Sequence, residues 1–275
     1  MTTANRATRL WTPSQYLRFG GERLRPALDL LAQARIALED KSVERVIDLG
    51  CGTGNITPFL VETWPDSRIV SVDSSREMLD KVYAYNATIG KNVEYTKADF
   101  EGFHTDTKVD LIYSNAALHW VSFGVHEILI PKLLGYLNPG GVLAFQIPDT
   151  RSQPSHLLMR EAAKQLGWMD RILETRWVTC DRDPIDYYKL LKPQATQINM
   201  WHSKYAMILE GENPVADFTA STGLGPYVDA FGGKDSVNGK LYIQKYRKLI
   251  ADAYPKTEDG KTIFEFNRFF IVAKV

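Results

Sequence analysis

Residues 46–54 read Val-Ile-Asp-Leu-Gly-Cys-Gly-Thr-Gly. A short apolar run carries Asp48 and then breaks into Gly50, Cys51, Gly52, Thr53 and Gly54. Alternating glycines at a strand end let the backbone turn sharply. They also remove the Cβ atoms that would hold a ligand off the main chain. A second strand-like run, 68–72, leads into Asp73, nineteen residues after Gly54. A glycine loop followed by an acid at the tip of the next strand is the layout of a nucleoside-binding βαβ unit. The acid there accepts hydrogen bonds from ribose hydroxyls.

The loop narrows the choice of nucleoside. The last glycine of a dinucleotide fingerprint is replaced by Asn55, and no Gly-Lys-Ser/Thr follows the loop to make a phosphate cradle. Asp48, just before the loop, would repel a pyrophosphate and suit a cationic or amine-bearing ligand. D-L-G-C-G-T-G resembles the first motif of class I S-adenosylmethionine-dependent methyltransferases. NAD binding and a purely structural turn are the alternatives.

Helix and strand signals alternate from residue 22 to about 147. The spacing predicts a helix over 22–37 with Leu24, Leu28, Leu31 and Ala32 on one face, and a buried strand over 43–49. Further helices are predicted over 56–64, from Ser74-Ser75 to 85 with Met78, Leu79 and Val82 inward, and over 126–137. Asn138-Pro139-Gly140-Gly141 reads as the stop of that last helix. Strands are predicted over 68–72, 93–97, 109–114 and 142–147. Alternation of this kind implies a parallel sheet covered on both faces, with ligands at the carboxyl ends of the strands. The loops after positions 49, 73, 98, 114 and 147 should therefore converge. Beyond Pro148 the pattern loosens. Helices are expected over 154–166, 214–221 and 237–254, and strands over 198–209 and 262–275. The stretches 151–195 and 212–250 are read as partly forming a lid.

The 275 residues suit one large α/β domain with added cap elements. Thirty-three basic residues balance 33 acidic ones, which disfavours a nucleic-acid partner. Two cysteines, Cys51 and Cys180, make neither a disulfide framework nor a zinc pattern, so a reducing, cytoplasmic setting is expected. No run approaches the ~18 apolar residues of a membrane span, and a monomer or weak dimer is expected.

Position singles out the candidate residues. Asp73 is the candidate for ribose, Asp99 for the adenine amino group, and Phe100 for the adenine ring. Asn115 should line the floor under the methionine part of the cofactor. His119 and Trp120 follow within one turn of it, and a Trp face can stabilise a cation. Gln146 and Asp149 end the fifth strand. Each of these also has an ordinary reading as a turn former or packed surface residue. Ahead of the first helix, Trp11, Tyr16, Arg23 and Arg25 form an aromatic and basic segment, suited either to a hydrophobic staple or to gripping carboxylates.

Taken together the chain resembles the trans-aconitate methyltransferases nearly end to end. The resemblance is carried by W-T-P-S-Q-Y-L-R-F with E-R-L-R-P, V-I-D-L-G-C-G-T-G-N, W-P-D-S-R-I with V-D-S-S-R-E-M-L, and N-A-A-L-H-W. It continues through L-N-P-G-G-V-L-A-F-Q-I-P-D, H-L-L-M-R-E, D-F-T-A-S-T-G-L-G-P-Y and F-E-F-N-R-F-F-I-V-A. It implies a Rossmann-like class I methyltransferase fold, α/β, with a mostly parallel seven-stranded sheet, helices on both faces and a helical lid. Residues 1–275 would form one methyltransferase domain. Within it, 1–40 would be an N-terminal lid segment and first helix, 41–150 the cofactor-binding core, and 151–275 substrate lid elements and sheet completion.

The implied activity is transfer of methyl from S-adenosyl-L-methionine to a carboxylate of a small polycarboxylic acid, trans-aconitate or isopropylmalate-like, without a general base. A protein or RNA methyltransferase, or a cofactor-binding scaffold, is the alternative. The expected cofactor set is Tyr16, Arg23, Asp48, Gly50, Cys51, Gly52, Gly54, Asn55, Asp73, Ser74, Met78, Asp99, Phe100 and Asn115. His119 and Trp120 are expected at the reacting centre. Trp11, Arg25, Gln146, His156, Arg176 and Tyr205 are expected around the acceptor, with no metal. The segment 168–190, with Trp177 and Asp181-Arg182-Asp183, departs from the family pattern.

Overall fold

The computed structural model describes residues 20–86, 92–175 and 182–275. In chain order the elements are α1 (Gly20–Ala37), β1 (Arg45–Leu49), α2 (Thr57–Thr63), β2 (Arg68–Asp73), α3 (Arg76–Asn86), β3 (Val93–Lys97) and β4 (Val109–Asn115). After a 3₁₀ turn (Leu118–Trp120) come α4 (Phe123–Gly135), β5 (Leu137–Pro148) and α5 (Pro154–Gln165). A second 3₁₀ turn (Met169–Ile172) precedes α6 (Pro184–Leu191), β6 (Gln197–Leu209), α7 (Pro214–Ala220), α8 (Gly225–Ala230), α9 (Val237–Ala253) and β7 (Thr262–Lys274). The seven strands lie in the order β3-β2-β1-β4-β5-β7-β6. β1 to β5 run parallel, and β7 pairs antiparallel with β5. Strand order reverses between β1 and β4, which places a ligand crevice outside their carboxyl ends.

The described residues divide into two compact units. The sheet unit contains residues 23–86, 92–148, 182–203 and 268–275. Its faces can be assigned from strand register, because opposed residues point the same way and alternate residues share a face. Ile47, Ile112, Leu143, Phe145, Ile147, Phe269 and Ile271 lie on one face. They form a core with Leu129, Ile130, Leu133 and Leu134 of α4 and with Tyr187 and Leu191 of α6.

The opposite face carries Ser71, Asp48, Tyr113, Asn115, Gln146 and Arg268 towards the carboxyl ends, and Val46, Leu111 and Val142 below them. α1 is tied to this face: Tyr113 Oη donates to the carbonyl oxygen of Ala27 at 2.6 Å. Beyond the end of α1, Lys41 pairs with Asp110 near the start of β4 at 3.2 Å. α1 therefore runs with its first turn at the carboxyl ends of the strands.

The second unit contains residues 20–22, 149–175 and 204–267. Its core joins Met159, Ala162 and Ala163 of α5 to Phe218, Tyr227, Tyr242, Tyr246, Phe264 and Phe266. Tyr242 and Tyr246 donate to the carbonyls of Met159 and Ser155, both at 2.9 Å, and Tyr254 Oη accepts from Ser155 N at 3.1 Å. Three tyrosines thus fix the backbone of α5.

Several local expectations change. The buried stripe of α1 is Arg23, Ala27, Leu30, Leu31, Ala34 and Leu38, whereas Ala32 is exposed and Leu24 and Leu28 are half-buried. The charge at position 23 hid the phase of that stripe. α4 ends at Gly135, and Asn138-Pro139-Gly140-Gly141 lies within β5 as an irregularity between the Val109–Leu137 and Leu111–Val142 pairs. A Cβ on Gly141 would sit 2.8 Å from the Asn138 carbonyl oxygen, so this turn needs glycine. α6, read with the lid stretch 151–195, packs instead in the core of the sheet unit. α8 was not anticipated. Among the described residues no helix is long and apolar enough to cross a membrane.

Candidate functional site

The glycine loop leaves β1 with Gly50 at φ +80°, Gly52 at +58° and Gly54 at +72°. Left-handed backbone at three positions explains the glycines. Their surroundings differ. A Cβ on Gly50 would lie 2.3 Å from Ala117 Cβ and 3.4 Å from the Phe100 ring, whereas one on Gly52 meets nothing within 4 Å. Gly50 is thus packed between protein atoms, and Gly52 borders open space. The loop N–H groups are engaged within the chain. Gly50 N and Cys51 N donate to the Val72 carbonyl at 2.8 and 2.9 Å, and Gly52 N donates to Asp73 Oδ2 at 2.9 Å. A phosphate cradle needs such N–H groups pointing at the ligand, so this loop is not one.

Asp73 Oδ1 also accepts from Ser75 N at 2.8 Å. Burial raises the Asp73 pKa, opposed by the N–H groups of Ser75, Gly52 and Ser74. Each carboxylate oxygen keeps a further lone pair for a hydroxyl donor. Ser74 itself is exposed, while Ser75 Oγ caps α3 at Met78 N, 3.3 Å away, and Met78 is half-buried. Asn55 Oδ1 accepts from Thr53 Oγ1 at 3.0 Å, which braces the loop from within. Cys51 is a free buried thiol.

Asp48 is a costly group. It is 1% exposed, and among the described residues neither carboxylate oxygen has a hydrogen-bond partner. Burial, and then the nearby Asp73 charge, push its pKa up to about 8. A buried carboxylate without partners is strongly disfavoured unless a cation or donors face it.

The tip of β4 is strained and clamped. Ala116 has φ +49°, the one positive non-glycine φ among the described residues. Ala116 N donates to the Gln146 carbonyl at 3.0 Å, and Gln146 Nε2 donates to Asn115 Oδ1 at 2.6 Å. Gln146 Oε1 is buried without a partner among the described residues. Strain of this kind persists only where neighbours over-determine it, and it clusters at functional sites.

The chain then enters the 3₁₀ turn that carries buried His119 and half-exposed Trp120, whose rings lie 5.0 Å apart at 36°. This turn is held from behind. His126 Nε2 faces the Leu118 carbonyl at 2.9 Å, and His126 Nδ1 faces Tyr187 Oη at 2.9 Å.

Phe100 is half-buried beside the loop. Asp99 is exposed, with Oδ1 accepting from Gly102 N at 2.7 Å in a tight turn. Arg23 is 8% exposed, and Arg25 is exposed, two residues further round α1. His156 and Tyr205 are buried in the second unit. His156 Nδ1 lies 3.1 Å from Ser155 Oγ, and Gly223 leaves room for its Nε2. Trp11, Tyr16 and Arg176 lie outside the described residues, as do Trp177 and Asp181. Among the described residues no cluster of metal-ligating side chains occurs.

Residues 46–141 match the methyltransferase domain family. Trans-aconitate 2-methyltransferase of Streptomyces avermitilis is 39% identical over 266 residues, covering 96% of both chains. The chain belongs to the trans-aconitate 2-methyltransferase family. The enzyme of that name from Azoarcus sp. (strain BH72) is 40% identical over 263 residues, covering 96% of this chain and 98% of its own. The solved YcgJ protein of Bacillus subtilis shares the fold, with a TM-score of 0.56 over 89% of this chain and 97% of its own, at 14% identity.

As a member of the trans-aconitate 2-methyltransferase family, the protein is an S-adenosylmethionine-dependent methyltransferase. The residues present fit that cofactor: Asp73 offers acceptors at the strand tip, Gly52 leaves open space, and the unpartnered Asp48 calls for a cation. Reading the sequence missed Tyr113, His126, Tyr187 and Arg268. The first three act through contacts 61 to 86 residues apart, which no local pattern reveals. Arg268 did leave a trace, as a charge set directly before the apolar run 269–273.

Proposed function

We propose that the protein esterifies a carboxylate of trans-aconitate or a closely similar small polycarboxylic acid, isopropylmalate-like acids included. The full-length likeness to enzymes named trans-aconitate 2-methyltransferase carries this reading. When bound, S-adenosylmethionine supplies a methyl group on a sulfonium, which an ionised carboxylate oxygen can take while the C–S electron pair stays on sulfur. A carboxylate is already ionised at neutral pH, so no side chain has to remove a proton.

The protein's work is then alignment, charge placement and exclusion of water. Asp73 receives ribose hydroxyls, and the Phe100 ring packs beside the nucleoside. Asp48 and the Asn115–Gln146 pair form the floor under the charged part of the cofactor. His119 and Trp120 stand over the reacting centre, and Arg23 offers a buried guanidinium to a carboxylate.

Incubating the protein with the cofactor and trans-aconitate, citrate-cycle acids or isopropylmalate should yield a product heavier by one methyl group. Absence of product from every polycarboxylate would sink this reading.

A further inference from the structure

Gln146 and Asn115 oppose each other at the ends of β5 and β4. Gln146 Nε2 donates to Asn115 Oδ1 at 2.6 Å. That bond fixes which way the Gln146 amide is turned, and it leaves Oε1 to find a partner elsewhere. Gln146 is 1% exposed, and Oε1 has no hydrogen-bond partner among the described residues. Buried acceptors in that state are rare, because each gives up its water without replacement. The main chain holds the residue as well. Its carbonyl accepts from Ala116 N, where the left-handed backbone leads into the turn of His119 and Trp120. The unmet oxygen is therefore a fixed feature beside that turn.

The chemistry of an amide oxygen narrows its partner. An ionised polycarboxylate without hydroxyl groups, such as trans-aconitate, brings acceptors and no donors, so it cannot satisfy Gln146 Oε1. S-Adenosylmethionine brings ribose hydroxyls, an adenine amino group, an ammonium and a sulfonium methyl. The ribose acceptor proposed above, Asp73, ends β2, three strands from β5. Asp48 is the other unmet acceptor on this face. It is opposed to Tyr113, and Tyr113 to Ala144, so Gln146 stands two strands across from Asp48 and two residues nearer the strand ends. Those offsets are about 10 Å and about 7 Å. Two acceptors so placed suit two different positive centres. The deeper carboxylate suits the ammonium. The neutral amide suits the methyl, because a full negative charge there would repel the acid that must approach the same carbon. C–H groups on a sulfonium are polarised and can act as donors.

We propose that Gln146 Oε1 accepts a C–H contact from the transferable methyl of S-adenosylmethionine and so orients it towards the acid. This rests on the placement of the cofactor proposed above. It moves Gln146 from the acceptor's surroundings, where the sequence put it, to the cofactor. Asn115 is then a positioning residue that keeps the amide turned. The amide dipole stands in place before reaction and needs no reorganisation as positive charge builds on the methyl.

The test is nuclear magnetic resonance of S-adenosylmethionine with an isotope-labelled methyl, bound to the full chain, with calorimetry alongside. The methyl protons should lie downfield of their position in the free cofactor, because an accepting oxygen deshields them. Gln146→Met, close in volume but without the amide, should return them towards the free position. It should weaken S-adenosylmethionine by about 2- to 5-fold. Affinity for S-adenosylhomocysteine, and for trans-aconitate on protein loaded with S-adenosylhomocysteine, should not change. Unshifted methyl protons in the wild type, or the wild-type shift in Gln146→Met, overturn the contact. Equal weakening of S-adenosylmethionine and S-adenosylhomocysteine also overturns it, because the loss then lies in a part that both share. Weaker trans-aconitate with unchanged S-adenosylmethionine would mean that the amide serves the acid, and refutes it likewise. The methyl signal needs no acceptor, so failure to methylate any polycarboxylate would remove the acceptor reading and leave this contact standing. Should Gln146→Met fail to fold, Gln146→Glu decides, because it keeps an acceptor oxygen. The downfield shift should persist there, and its loss overturns the contact.

Discussion

His126 joins Tyr187 of α6 to the turn that carries His119 and Trp120, with 2.9 Å to the Tyr187 hydroxyl and 2.9 Å to the Leu118 carbonyl. A carbonyl can only accept, so Nε2 carries a proton, and Nδ1 of the neutral ring accepts from Tyr187. Tyr187→Phe removes that donor from a buried nitrogen, at a cost of about 1–3 kcal/mol in stability. Because the turn stands over the reacting centre in the proposed site, kcat should fall while S-adenosylhomocysteine affinity holds. Denaturant unfolding and steady-state kinetics read the two effects separately. A stability loss without any change in kcat would show the network to be structural only.

In the proposed site, Asp48 should link cofactor binding to pH. Its pKa in the folded protein, about 8, lies above the ordinary carboxylate value of 3.8. The neutral form is therefore favoured by folding. The stability it contributes is full below the ordinary value and is lost as pH rises through about 8. A cationic ligand needs the ionised form. S-Adenosylmethionine affinity should accordingly rise between pH 6 and 8, by up to about tenfold per unit, while the unliganded protein becomes less stable over the same interval. Asp48→Asn should flatten both trends, raise the melting temperature of the unliganded protein at pH 8, and weaken the cofactor. Parallel pH profiles in the wild type and variant would remove Asp48 from the site.

Two glycines of one loop should fail differently. Gly50→Ala forces a Cβ into Ala117, so folding itself should suffer. Gly52→Ala meets only the strain of its left-handed backbone, about 1–2 kcal/mol, and projects a methyl into the open space beside the loop. It should fold and lose cofactor binding. Circular dichroism with calorimetry distinguishes them. Full cofactor affinity in Gly52→Ala would mean that the cofactor does not approach that side of the loop.

Asp73, the proposed ribose acceptor, also holds the loop, since its carboxylate accepts from Gly52 N and Ser75 N. Asp73→Ala should weaken the cofactor by about 1.5–3 kcal/mol for each lost bond to the charged group and loosen the loop as well. Asp73→Asn retains one oxygen acceptor and should lie between wild type and alanine. Equal cofactor affinity in all three proteins, measured by calorimetry, would show that ribose is held elsewhere.

The glycine loop, Asp73 and the alternation up to Pro148 were legible because each depends on neighbours in the chain. A left-handed turn demands glycine whatever lies around it, and the strand tips follow from where the apolar runs stop. The phase of α1 was hidden because Arg23 belongs to its buried stripe, and a charge there reads as solvent-facing. Asn138-Pro139-Gly140-Gly141 looks like a helix stop by composition, yet its glycines serve an irregularity against Asp110 that exists only once β4 and β5 pair. The placement of α6 rests on Tyr187, whose hydrogen-bond partner His126 is 61 residues away. Such contacts are set by the packed sheet and leave no periodic mark.

The two faces of the sheet give this enzyme separable risks. On the side of α4 and α6, apolar side chains can exchange volume with one another, and errors there are expressed as a melting temperature. On the side of α1, a one-residue slip of register would turn Asp48, Asn115, Gln146 and Arg268 into the hydrocarbon core and bring leucine and phenylalanine to the crevice. The same polar row therefore also penalises every wrong alignment of its strands. Polarity and folding accuracy are tied together on that side, and few positions there can change one without the other.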